Sequence, residues 1–238
     1  MNKEELIEVF KDTKKKTKGR HSHSQKLRFT MPLKVSVIAS DTVSAIIQYA
    51  DKVPVALNMA SLRKPGGGVA NGAMAQEECL FRCSNLHHSI SKHAYPLKHN
   101  EAIYTHAAEF IKDRFYEDLP EPVNCDIITI PAVNINSRYR PDALMTDKEY
   151  TDLTSAKMRL IFRAAEENNR ETLILGAWGC GVFKNDPQRI ASMFWHVINE
   201  LNNEYAFKRT SLKHIVFAII NDKNANSDNL KTFENMFL

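Results

Sequence analysis

Residues 125–135, CDIITIPAVNI, form a nearly unbroken apolar run with no alternation of wet and dry positions. A strand that faces water on one side alternates. This one must be covered on both faces, which calls for a sheet with helices above and below it. LKVSVIAS (33–40), VPVALNMA (53–60), ETLIL (171–175) and LKHIVFAII (212–220) have the same strand-like length and apolar content. Helical patterns lie between them. DTVSAIIQYADK has Asp41 placed as an N-cap, and residues 75–86 and 87–94 read as two further helices. TDKEYTDLTSAKMRLIFRAAEENN (146–169) is the longest helical signal, and Pro187 opens QRIASMFWHVINELNNEY, as proline favours a first turn. NSDNLKTFENMF (226–237) closes the chain as a helix, and EAIYTHAAEFI (101–111) predicts a hairpin or a pair of strands. Strands alternating with helices give an α/β layered sheet. An amphipathic helix with Leu6, Ile7 and Phe10 ends near Gly19, so residues 1–30 are expected as a basic helical extension and 31–238 as one domain.

Charge and cysteine content narrow the setting. Lysines and arginines outnumber acids 32 to 28, and much of the +4 excess sits in KDTKKKTKGRHSH (11–23). With no aromatic residues interleaved, that run reads as a solvated arm, and nucleic acid is not expected as a partner. No apolar stretch is long enough to cross a bilayer, and MNKEELIEVF lacks the apolar core of a secretory signal, so a cytoplasmic protein with no membrane partner is expected. The four cysteines have neither the density nor the spacing of a disulfide scaffold. Cys79, Cys83 and His87 fall at i, i+4 and i+8, the spacing of one helix face, with His88 and His93 near. Such a row is more often core packing, and no metal site is expected from it.

Two loops follow predicted strands and are rich in an otherwise scarce residue. Of eight glycines, four fall in 66–72 and three in 176–181. In open α/β sheets ligands sit beyond the carboxyl ends of strands, and glycine lets backbone N–H groups approach them. Two such loops together favour a phosphorylated or diphosphate ligand, although glycine at one strand-to-helix turn can serve geometry alone. Neither loop has the dinucleotide fingerprint or a P-loop lysine, which removes support for hydride transfer and P-loop hydrolysis. The first loop runs into Gln76, Glu77 and Glu78 at the start of a predicted helix. Acids there are ordinary partners of a helix dipole, but adjacent helical residues point about 100° apart, so one can face a cleft while the other is held aside.

GGGVANGAMAQEE (66–78) resembles the signature of the poly(ADP-ribose) glycohydrolase family, three glycines, a spacer and Gln-Glu-Glu, and GAWGCGVF (176–183) resembles its diphosphate loop. LNMASLRKPGGG and AQEECLFRCSNL look more like the microbial branch, where AIYTHAAEFIKDRF and IPAVNI also have counterparts; the likeness extends over most of residues 30–220. It implies a macrodomain-like three-layer α/β/α fold with a mixed central sheet, holding ADP-ribose and cleaving the ribose–ribose bond of poly(ADP-ribose). By the match, Glu78 is the catalytic acid and Glu77 orients a ribose hydroxyl. Gly67 and Gly68 border the reacting ribose, and Gly66 and Gln76 belong to the same substrate-binding set. Gly179, Cys180, Gly181 and Val182 hold the diphosphate through backbone N–H groups, Phe183 lies against the distal ribose and pyrophosphate, and Asn58 contacts a ribose. Tyr95, Tyr104 and Phe115 stand as adenine-side aromatics or as core.

That chemistry makes a demand. Glycosidic cleavage develops positive charge on the sugar, so a proton must reach the departing oxygen while water attacks. Glu78 must start protonated, and the substrate's diphosphate, neighbouring Glu77 and exclusion of water all favour that form. Afterwards the same carboxylate could take a proton from the water. Two adjacent acids lie on one side of the bond, so Glu77 is a poor opposite-face nucleophile. No metal and no cofactor is required, the substrate is poly(ADP-ribose) or ADP-ribosylated macromolecules with ADP-ribose as product, and a monomer is expected. Two alternatives use the same loops: a module that binds ADP-ribose without hydrolysis, and a hydrolase removing single ADP-ribose groups.

Overall fold

The computed structural model describes residues 3–19, 32–136, 145–205, 210–221 and 228–238. The boundary expected between residues 30 and 31, and residues 20–23 of the basic run, lie outside them. Six strands, β1 (Lys34–Ile38), β2 (Pro54–Met59), β3 (Ile103–Lys112), β4 (Asp118–Ile130), β5 (Thr172–Leu175) and β6 (His214–Ala218), form one sheet in the order β1-β6-β5-β2-β4-β3. All neighbours pair in parallel except β3, which is antiparallel to β4, so the sheet is mixed.

Alternate residues of the central strands enter different cores. Val55 and Leu57 of β2, Ile128 and Ile130 of β4, and Leu173 and Leu175 of β5 pack in one cluster with α5 (Asp147–Glu167), α6 (Pro187–Tyr205) and α7 (Asn229–Phe237). Ala56, Ile127 and Ile174 turn the other way, toward α2 (Thr42–Gln48) and α3 (Gln76–Cys83). Period-two alternation between two buried faces is the physical content of the apolar run at 125–130, and it makes the three-layer α/β/α architecture expected from the sequence. Asp41 caps α2 as predicted, accepting from the backbone N–H of Val43 and Ser44 at 2.9 and 3.1 Å. Thr146 and Glu149 form a reciprocal box at the start of α5.

Several elements differ from the sequence reading, the helix expected over 87–94 among them: only Leu86–Ser89 is α-helical there, and Lys92–Ala94 is a separate 3-10 turn. EAIYTHAAEFI is one strand, not two, and its hairpin partner is β4 over residues 118–129, of which 118–124 are hidden in the sequence by their polar pattern. β4 ends at Ile130, before PAVNI, because Pro131 has no N–H for a ladder. The helix expected over 75–86 stops at Cys83: Ser84 bridges to Phe110, and Asn85 and Glu109 exchange two hydrogen bonds of 3.0 Å, so the chain leaves the helix to dock on β3. His87 therefore falls in the separate short helix α4 (Leu86–Ser89), and among the described residues no group of three or more candidate ligands could hold a metal ion. The amphipathic N-terminal helix forms as α1 (Lys3–Lys16), with Ile7, Val9 and Phe10 exposed. No helix among the described residues is long and apolar enough to cross a membrane.

Because β2, β4 and β5 are adjacent and parallel, the loops that follow them leave from one edge of the sheet. Both glycine loops are on that edge.

Candidate active site

The glycine loop after β2 wraps the two carboxylates that follow it. Glu77 and Glu78, in the first turn of α3, are only 3% and 7% exposed. Glu77 Oε2 accepts from the N–H of Ser61 at 2.7 Å, and its Oε1 from Gly66 N–H at 3.1 Å and Asn58 Nδ2 at 3.4 Å. Glu78 Oε1 accepts from Gly68 N–H at 2.8 Å, and its Oε2 reaches back to the N–H of Ala75 at 3.2 Å. Gly67 lies between them with φ at +50°: a Cβ there would meet Glu78 Oε1, and Glu77 Oε2 at 3.1 Å. The sequence reading treated both loops as donors to a phosphate. In the first loop the N–H groups of Gly66 and Gly68 are instead committed to Glu77 and Glu78, and that of Gly67 to Lys64 O. Its glycines position acids.

Gln76, expected to touch substrate, uses its whole amide as a brace. Its Oε1 accepts from Met59 N–H at 2.9 Å, and its Nε2 donates to Leu57 O at 2.7 Å and Thr42 Oγ1 at 3.2 Å, fixing the start of α3 to the end of β2. Asn58, fully buried on β2, donates to Glu77 and to Thr129 Oγ1, while its Oδ1 has no partner among the described residues. A buried acceptor without a donor is costly, and a ligand hydroxyl in that place would satisfy it.

Burial and hydrogen bonding act on Glu77 in opposite directions. Desolvation is the larger effect and pushes its pKa up to about 7, against the lowering by Ser61, Asn58 and Gly66. The folded protein therefore binds this proton more tightly than the unfolded chain does. That stabilisation is fully present below the unfolded value of 4.5 and is lost as pH rises through about 7. The wild type is expected to lose about 3 kcal/mol relative to Glu77→Gln between pH 4.5 and 8. Urea titrations at several pH values check this; a parallel course for the two proteins would contradict the burial of this acid.

The loop after β5 is built differently. Asn185, 2% exposed, donates to Val133 O at 2.9 Å and Gly179 O at 3.0 Å and accepts from Tyr150 Oη at 2.7 Å. Ile135 N–H bonds Phe183 O at 3.2 Å, and Asn136 Nδ2 bonds Val182 O at 2.7 Å. The loop after β4 thus braces the loop after β5 through the carbonyl side, leaving the N–H groups of Gly181, Val182 and Phe183 with no acceptor among the described residues. The expected diphosphate loop differs in one member: Cys180 N–H is held by Ala177 O at 3.1 Å, and its side chain is buried. Asn185 and Tyr150 were not singled out from the sequence, because their value depends on contacts 35 and 52 residues away. Asn185→Ala is expected to cost about 3 kcal/mol, from several buried groups left unpaired, and to weaken ADP-ribose binding about tenfold or more. Urea unfolding and calorimetric titration measure the two effects.

The three aromatics separate. Tyr104 Oη donates to Asp126 at 2.6 Å within the sheet, and Phe115 is exposed at the β3–β4 turn under the Arg114 guanidinium, 4.7 Å away. Tyr95 is half-buried near Glu77, whose charge adds to burial in pushing its phenol above the usual range.

Residues 2–115 match the family described as microbial-type PARG, catalytic domain. Among solved structures, poly(ADP-ribose) glycohydrolase from Deinococcus radiodurans, in complex with ADP-ribose, is 30% identical with a TM-score of 0.73 over 88% of this chain and 86% of its own. The Thermomonospora curvata enzyme is 28% identical, TM-score 0.72, over 93% of this chain and 81% of its own. The same enzyme bound to the inhibitor ADP-HPD aligns at 28% identity, TM-score 0.71, over 86% of this chain and 79% of that one. None of the curated proteins compared with the chain matches it. The glycine-clamped acids stand in a chain that shares most of its length and its fold with these enzymes, and it belongs to the microbial-type poly(ADP-ribose) glycohydrolase family.

Proposed function

We propose that this protein hydrolyses the ribose–ribose O-glycosidic bonds of poly(ADP-ribose) and releases ADP-ribose. The observation that carries the reading is the juxtaposition at one sheet edge of two clamped carboxylates and a second loop whose N–H groups at Gly181, Val182 and Phe183 have no acceptor among the described residues. The diphosphate lies on the N–H groups of Gly179, Gly181 and Val182, joined by that of Phe183, with the ring of Phe183 against the distal ribose. Oδ1 of Asn58 accepts a ribose hydroxyl, and Glu77, held from three sides, orients that sugar. Glu78 gives its proton to the departing ribose oxygen as the glycosidic bond breaks. Water adds to the anomeric carbon, and its proton passes to the carboxylate of Glu78, which restores the acid. Buried but lying against Gly67, Glu78 meets a sugar only where no Cβ intervenes.

We place this activity in residues 31–238, with residues 1–30 as an extension, acting as a monomer in the cytoplasm. Incubating the purified protein with poly(ADP-ribose) is expected to release free ADP-ribose. Binding without release would make it a reader of the modification, and release only from singly modified protein would make it a mono-ADP-ribosyl hydrolase.

A further inference from the structure

A cationic shoulder stands beside the cleft and takes no part in the chemistry above. Leu97 N–H donates to Leu62 O at 3.0 Å, setting residues 92–99 against the stretch that leads from β2 into the glycine loop. Arg63, Lys64, Lys92 and Lys98 are exposed on these two segments, together with His93, while His99 is half-buried. Within residues 61–101 the acids are Glu77 and Glu78, buried in the cleft, and Glu101, which lies 3.5 Å from Lys98. Even so, the Lys98 side chain is 78% exposed.

Tyr95 joins this shoulder to the cleft. Its hydroxyl is buried and has no hydrogen-bond partner among the described residues. Buried hydroxyls are normally paired, so this one points to a polar group arriving from outside the protein, on the Glu77 side. Poly(ADP-ribose) carries two phosphate charges per unit, and whatever lies beyond the scissile bond is a polyanion. A chain that leaves the cleft past Tyr95 would pass these cations, whereas an ADP-ribose confined to the cleft would not.

We infer that Arg63, Lys64, Lys92 and Lys98 bind phosphates of the polymer segment beyond the scissile bond, so that the protein holds chains more tightly than single ADP-ribose. The inference rests on the glycohydrolase reading. The test compares Arg63→Gln/Lys64→Gln/Lys92→Gln/Lys98→Gln with the parent, both in a Glu78→Gln background so that the polymer survives the measurement. At about 50 mM salt the polymer Kd is expected to rise about tenfold or more, and the slope of log K against log salt to become shallower by about 3, given about 0.7 for each of the four phosphates neutralised on a single strand. The Kd for ADP-ribose itself should stay within about twofold. An unchanged polymer Kd overturns the inference, as does an equal loss for ADP-ribose. Tighter binding of a size-matched single-stranded RNA than of the polymer would assign the shoulder to nucleic acid and overturn it too. The two readings fail separately: a wild type that releases no ADP-ribose sinks the glycohydrolase, whereas active protein with shoulder-independent polymer binding sinks only this surface.

Discussion

Glu78→Gln is expected to lower the release of ADP-ribose from poly(ADP-ribose) by about 10³-fold or more while ADP-ribose affinity stays within about threefold, because the variant removes the transferable proton and keeps the shape. The amide can still accept from Gly68, so the helix start and the glycine loop are retained apart from the contact to Ala75. Glu77→Gln is a different experiment. Its carboxylate is pinned by Ser61, Gly66 and Asn58, and in the proposed mechanism it orients the sugar and transfers no proton, so a loss of about 10- to 100-fold is expected, the size of a misplacement. Single-turnover rates with ADP-ribose binding measured beside them separate the two roles. Equal losses of turnover with affinity intact in both would contradict the division of labour between the acids.

Gly67→Ala should be nearly as damaging, for a reason unconnected with proton transfer. At a φ of +50° any side chain costs about 1–2 kcal/mol in backbone strain, and here the added methyl would also run into Glu78 Oε1 and press on Glu77 Oε2. The carboxylates must move, and activity is expected to fall about 100-fold. Gly72→Ala is the control in the same loop. Its φ is +77°, but a methyl there meets nothing within 4 Å, so it should carry the strain alone, about 1 kcal/mol, and keep its activity. Urea midpoints and kcat for the pair test this. Equal activity in the two alanine variants would show that Gly67 does not set the acids in place.

Local pattern made much of this molecule readable. The strand at 53–60 and the helix opened by Pro187 appear where the sequence puts them, and the apolar run at 125–135 is strand as far as Ile130, because burial on two faces and the fixed φ of proline are properties of short stretches. The sheet order was not readable in that way. That β2 sits between β5 and β4, and so brings two distant glycine loops to one edge, depends on pairings such as Val55 with Asp126 and Pro54 with Thr172, far apart in the chain. The end of α3 was missed because Ser84 and Asn85 find partners on β3, a tertiary gain that outweighs helical propensity.

The site shows the same split. Glu77 and Glu78 announce themselves as a pair, and the glycines before them announce a tight turn. What the turn does depends on which groups its amides meet, and they meet carboxylates. Gln76 reads as a ligand contact through its place in the Gln-Glu-Glu signature, yet its amide copies the edge of a strand. Asn185 gave no local sign at all; its importance comes from Val133 and Tyr150.

A crystal structure with ADP-ribose bound bears most directly on the arrangement. The diphosphate is expected on the N–H groups of Gly181 to Phe183, with the anomeric carbon of the terminal ribose facing the Glu78 carboxyl beside Gly67. ADP-ribose held away from the edge formed by β2 and β5, or with its phosphates on the amides of Gly66 to Gly68 and Glu78 displaced into solvent, would contradict it.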